Sequence, residues 1–146
     1  VPDFIKKSQS KGFSHFINDA GGSLCELEDP ELYKLLSENS LIVYIQTNKK
    51  NERSLIERAK KRPKPMYYSS PFFEKSIRAY LTENTLDYAA QVSPDDFVSW
   101  VFPKLIDDRL KKYEAIANKY GCTIQSDDLH SCHSANDVIN LISSAL

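Results

Sequence analysis

Apolar positions along this chain fall into short groups, three with strand-like character and the others at helical spacing. Residues 2–11 predict a short helix, with Pro2 in its first turn and Gly12 just past its end. FSHFIN, residues 13–18, predicts a buried strand. Asp29-Pro30-Glu31 is a helix start: Asp accepts backbone N–H bonds, Pro occupies the first helical position, and Glu favours the first turn. Leu32, Leu35 and Leu36 then share one face. LIVYIQ, residues 41–46, is a continuous apolar run without charge, as expected of a strand covered on both faces in a parallel sheet. Asn51 opens a helix carrying Leu55, Ile56 and Ala59 and ending in Lys60-Lys61-Arg62. Residues 62–71 contain three prolines and predict a loop.

Helical spacing returns over residues 72–81. Ser93-Pro94-Asp95-Asp96 starts another helix bearing Phe97, Val98, Val101 and Phe102. Pro103 is expected to break or kink it, with a further helix from about Lys104 to Tyr120 and Gly121 as its stop. Residues 122–125 predict a short strand. Ser134 caps a last helix whose apolar positions are Val138, Ile139, Leu141 and Ile142, and Asp137 stands where a capping box has its acid. Helices alternating with strands in this order predict an α/β fold, a parallel sheet with helices on both faces. There is no internal repeat and no low-complexity tract.

The 146 residues fit one domain, and 41% hydrophobic with 27% charged residues is the composition of a globular protein. A net charge of −1 gives no general field toward nucleic acid or anionic membrane. No apolar run has the length of a membrane span, and the first residues lack the apolar core of a signal peptide. Cys25, Cys122 and Cys132, odd in number and far apart, fit a reduced chain, so a cytoplasmic location is expected.

Two of the four glycines stand together in FINDAGGSLCEL, residues 16–27, directly after a predicted strand. In open parallel sheets, ligands bind beyond the carboxyl ends of strands. An acid there can hold Mg²⁺, and paired glycines let a ligand approach backbone N–H groups. The alternative is a tight turn in which glycine only supplies positive φ.

The stretch from Phe16 to Thr47, FINDAGGSLCELEDPELYKLLSENSLIVYIQT, resembles the middle of shikimate kinases and related P-loop small-molecule kinases, where a strand ends in a glycine-rich motif and an apolar strand follows the next helix. Arg58 and the pair Arg62-Pro63 are similar to that family's lid, and Arg109, Tyr113 and Ala117 match its R-x-x-x-Y-x-x-x-A helix. The likeness extends, in order, over nearly the whole chain. It implies ATP and Mg²⁺ as cofactors and a small-molecule acceptor. Asp19 would sit near the Mg²⁺–nucleotide as a catalytic and metal-binding residue. Gly21, Gly22 and Ser23 would face the acceptor. Arg58 and Arg62 would bind nucleotide, with Arg62 closing over the phosphates. Arg109 would reach the acceptor's anionic group or the transferring phosphate. Phosphoryl transfer is mostly positioning and charge neutralisation, which arginine serves through its planar, permanently charged fork.

The chain departs from the family in three ways. No G-x-x-x-x-G-K-[ST] motif is present: Phe, Gly, Ser and Cys follow the four glycines. The family's first strand, phosphate loop and first helix are expected before residue 1, so the chain is expected to be the carboxyl-terminal part of such a fold and inactive alone; a degenerate relative is the alternative. Ser23 replaces a third glycine. Residues 62–108 form a lid or helical insertion, whose aromatics Tyr67, Tyr68, Phe72, Phe73 and Trp100 either shape a different acceptor pocket or pack an extra helical layer.

Two other groupings carry chemistry. Asp127, Asp128, His130, Cys132 and His133 offer zinc-ligand types, but in no standard spacing, and a solvated loop accounts for them. Residues 49–65 concentrate eight basic side chains that, with Tyr67 and Tyr68, can contact nucleic acid or a protein partner. The near-zero net charge argues against nucleic acid.

Overall fold

The computed structural model describes residues 2–146. Its elements are α1 (Pro2–Ser10), a 3-10 turn (Leu24–Leu27), α2 (Pro30–Asn39), β1 (Ile42–Gln46), α3 (Lys49–Lys61) and α4 (Ser70–Glu83). A second 3-10 turn (Ala89–Gln91), α5 (Pro94–Tyr120), β2 (Gly121–Gln125), α6 (Ser126–His130) and α7 (Ala135–Ser144) complete it. The architecture is α/β. β1 and β2 pair in parallel, Ile42 opposite Gly121 through Gln46 opposite Gln125. The crossover between them consists of α3, α4 and α5, as parallel pairing requires a long connection.

Helix starts follow local chemistry. The Asp29 carboxylate accepts from the N–H groups of Glu31 (3.0 Å) and Leu32 (3.2 Å). Asn48 caps α3 by accepting from Asn51 N–H, so that helix begins ahead of Asn51. Ser134 and Asp137 form a reciprocal capping box on α7.

α5 organises the molecule. It packs on both strands, on the first 3-10 turn, and on α2, α3 and α4; α6 and α7 pack on β2. Val101 and Leu105 are fully buried along it. Pro103 does not end this helix, which runs unbroken over 27 residues. Proline there removes the amide that would bond the Ser99 carbonyl, a cost that tertiary packing of the flanking Val101 and Leu105 offsets.

Residues 62–108 are largely helical. Tyr80, Phe97 and Val101 form a core with Tyr68, Phe72 and Trp100 packed against it. Tyr80 meets Phe97 edge-on at 5.4 Å between ring centroids and Trp100 at 5.2 Å. Most of the aromatics of this region therefore pack a helical layer between α4 and α5.

Two expectations are corrected. Residues 13–18 form no strand: Phe13 is 63% and Ile17 90% exposed. A strand exists only through its neighbours' hydrogen bonds, and among the described residues the one backbone bond of this segment runs from the Phe13 N–H back to the Ser8 carbonyl of α1. Among the described residues the sheet accordingly has two strands rather than the larger array expected. The loop from Asp127 onward is also partly helical, as α6, and Asp127 accepts from Asn48 Nδ2 at 2.7 Å, tying α6 to the cap of α3.

Candidate functional site

The paired glycines do two different things. Gly21 has φ +64, a left-handed conformation that side chains disfavour, and its N–H donates to Asp19 Oδ1 at 3.0 Å, closing a tight turn. Gly22 is held by close approach: a Cβ there would stand 3.1 Å from Tyr113 Oη and 3.4 Å from Arg109 Nη1. The Tyr113 hydroxyl donates to the Gly22 carbonyl, and the Cys25 thiol reaches the same oxygen at 3.6 Å.

Beneath this turn lies a buried ion cluster. Glu26 follows Cys25 in the 3-10 turn, and its side chain is wholly inaccessible. Arg109 Nε donates to Glu26 Oε1 at 2.7 Å, and Lys112 Nζ to Oε2 at 3.1 Å. Arg109 Nη2 also donates to the Tyr67 carbonyl at 2.8 Å, bringing the start of the aromatic layer to the same point. Lys112 further pairs with Glu28 (2.9 Å) and Asp108 (3.1 Å). Arg109, Lys112 and Tyr113 converge because positions i, i+3 and i+4 share one helix face.

Burial opposes the Glu26 charge, but hydrogen bonds from Arg109 and then Lys112 outweigh it and hold the carboxyl below its ordinary range. Burial likewise opposes the Lys112 charge; hydrogen bonds to Glu28, Glu26 and Asp108 overcome it and push the ammonium upward. Burial raises the Tyr113 hydroxyl, and Cys25 beside it adds to the effect. Burial also raises the Cys25 thiol, offset in part by Tyr113. Neither Tyr113 nor Cys25 is therefore activated as a nucleophile or base at neutral pH. With a thiol reagent at pH 8, only Cys132 should react rapidly, Cys25 and Cys122 being buried. All three should react after unfolding; rapid labelling of Cys25 in the native protein would contradict the packing described.

A cavity of about 1030 Å³ opens beside the glycine turn. Asp19, Gly21, Gly22 and Tyr113 line it, together with β1 and the extended segment 13–18. Arg109 is not part of its wall but reaches the turn from behind. The sequence-expected residues thus divide. Asp19, Gly21, Gly22 and Arg109 come together, and Ser23 adjoins them as the exposed cap of the 3-10 turn, its side chain making no capping bond. Arg58 and Arg62 lie exposed at the end of α3, without an ion pair among the described residues. Among the described residues no three His, Cys, Asp or Glu side chains gather as metal ligands, Asp127 to His133 included.

Glu26, Lys112 and Cys25 were not anticipated. Arg109 and Lys112 share one helix face, but an exposed basic face looks the same in sequence, and the acid they meet is set by contacts across more than 80 residues. No helix of the described residues is long and apolar enough to cross a membrane. Comparison with protein-family models, curated proteins and solved structures finds no match to this chain.

Proposed function

We propose that this chain is part of a P-loop ATPase or small-molecule kinase, resembling shikimate kinase, that transfers phosphoryl from ATP to a small acceptor. The supporting observation is the arrangement of the DAGGS turn: Asp19, Gly21 and Gly22 border a large cavity, while Arg109 Nη1 stands at the turn without a hydrogen bond among the described residues. Glu26 and Tyr67 clamp the guanidinium behind the turn, where its charge would act on an anion bound at the glycines.

The fit to Mg·ATP is partial. Mg²⁺ takes one or two protein carboxylates and keeps several waters, which suits Asp19, whose second oxygen has no bond among the described residues. The nucleotide phosphates need a glycine-lysine loop that this sequence does not contain, and on this reading it would have to come from polypeptide outside these residues. Arg62 and Asp19, both exposed, are the proper residues to test, since Arg109 also holds the fold. In a protein carrying the phosphate loop, Arg62→Ala and Asp19→Ala should each lower ATP turnover by roughly 10-fold or more at unchanged melting temperature. Undiminished turnover in both variants rejects these roles.

A second reading rests on the exposed basic end of α3, with Lys60, Lys61, Arg62 and Lys64 beside Tyr67. A binding module contacting nucleic acid or an acidic protein surface would use it. RNA binding that weakens steeply with salt, in a protein that fails to bind Mg·ATP even with the loop, selects this second reading.

A further inference from the structure

The cavity beside β1 has the chemistry of a seat for a β-strand. β1 bonds β2 along one edge only, and no described backbone group bonds the other edge. Alternate N–H and C=O groups of a strand necessarily point away from its single partner. Here they border a cleft whose walls are apolar: Val43 and Ile45 on β1, Phe13, Phe16 and Ile17 on the extended segment. Among the described residues Asp19 is the only formally charged one on that lining, so phosphate chemistry is confined to the end at the glycine turn and the space along β1 suits an apolar occupant. The Tyr44 hydroxyl, on a residue that also lines the cleft, is buried without a partner among the described residues.

An occupant must therefore carry apolar side chains and a row of backbone donors and acceptors. An extended polypeptide has both. We infer that a strand of five or six residues, carried by polypeptide outside these 146 residues, adds to the free edge of β1 and offers its own far edge to residues 13–18. This explains why FSHFIN has strand composition without being a strand: its partner is not β1 but the strand that separates them. The inference deepens the function proposed above and rests on it only for the source of the strand.

A peptide copying residues 41–46 between solubilising lysines is a suitable probe, because edge pairing is carried by the main chain. Added to the 146-residue protein, it should slow hydrogen exchange of β1 amides at least 10-fold and raise the melting temperature. A version N-methylated at alternate residues keeps the apolar surface but cannot pair, and should do neither. Ile45→Lys, at a position 47% exposed, should weaken the peptide's effect without unfolding the protein. Equal protection by the methylated peptide, no protection by either, or a peptide-free dimer joined at β1 would each overturn the inference. Failure to bind Mg·ATP in a protein whose β1 edge is paired would sink the phosphate-transfer proposal and leave the strand seat standing.

Discussion

Glu26→Gln is expected to cost the fold about 3 kcal/mol, because breaking a buried ion pair leaves its partners uncompensated. The Glu26 carboxylate accepts from both Arg109 and Lys112 with no exposed side-chain surface. Glutamine keeps the shape but supplies an amide donor where two cations already donate. Glu28→Gln is the control: it touches the same lysine, but from a side chain 62% exposed, where an ion pair contributes about 0–1 kcal/mol. Urea unfolding should show a lowered midpoint at unchanged slope for Glu26→Gln and a near-native midpoint for Glu28→Gln. Equal midpoints for the two variants would refute the energetic role of the cluster.

The same substitution should change the acid limb of stability. The folded-state carboxyl of Glu26 is held below its value of 4.5 in the unfolded chain. Its contribution is therefore complete above that value and is lost as pH falls through the folded one. Wild-type protein should lose stability over that window more steeply than Glu26→Gln, which has no proton to take up there. Lys112 has the opposite sign. Its contribution is complete below 10.5 and declines only as pH rises through its elevated folded value.

What could be read from sequence follows the range of each interaction. The caps at Asp29 and Ser134 were legible because donor and acceptor lie within three residues of each other. LIVYIQ was legible as a strand because a continuous apolar, β-branched run fits a covered sheet, and CTIQ carries the β-branched pair Thr123-Ile124. FSHFIN has similar composition and forms no strand, since pairing depends on a neighbour that composition does not reveal. The glycine pair was half legible. Positive φ at Gly21 is a local property, whereas the need for glycine at 22 comes from Tyr113 and Arg109, far along the chain. The resemblance put Asp19 near the Mg²⁺–nucleotide and Arg109 near the acceptor or the transferring phosphate; in the fold Asp19 bonds Gly21 and Arg109 lies against Gly22, and Glu26, which fixes Arg109 there, had no local signature at all.

Gly121→Ala should be at least as damaging as Glu26→Gln, and for a reason opposite to the one its position implies. As the residue after α5, it was expected to stop the helix, a position where glycine commonly serves by adopting a left-handed conformation. Its φ is −169, extended backbone that any residue adopts, so no torsional preference demands glycine. The demand comes from β1: a Cβ at 121 would lie 1.9 Å from the Ile42 carbonyl oxygen and 2.7 Å from its carbon. These are main-chain atoms in the first register pair of the sheet, Ile42 opposite Gly121, and cannot turn aside as a side chain can. Alanine must therefore push the strands apart, at a cost of about 3 kcal/mol or more, the upper range for overpacking. Gly22→Ala offers the contrast, because its obstacles are the Tyr113 hydroxyl and the Arg109 guanidinium, both at the ends of side chains. Tyr113→Phe should recover part of the stability lost in Gly22→Ala, whereas Ile42→Ala should recover almost none of that lost in Gly121→Ala, since the carbonyl remains. Amide exchange across β1 and β2 should accelerate together in Gly121→Ala. A Gly121→Ala protein with native melting temperature and protected strand amides would mean that Ile42 and Gly121 are not register partners.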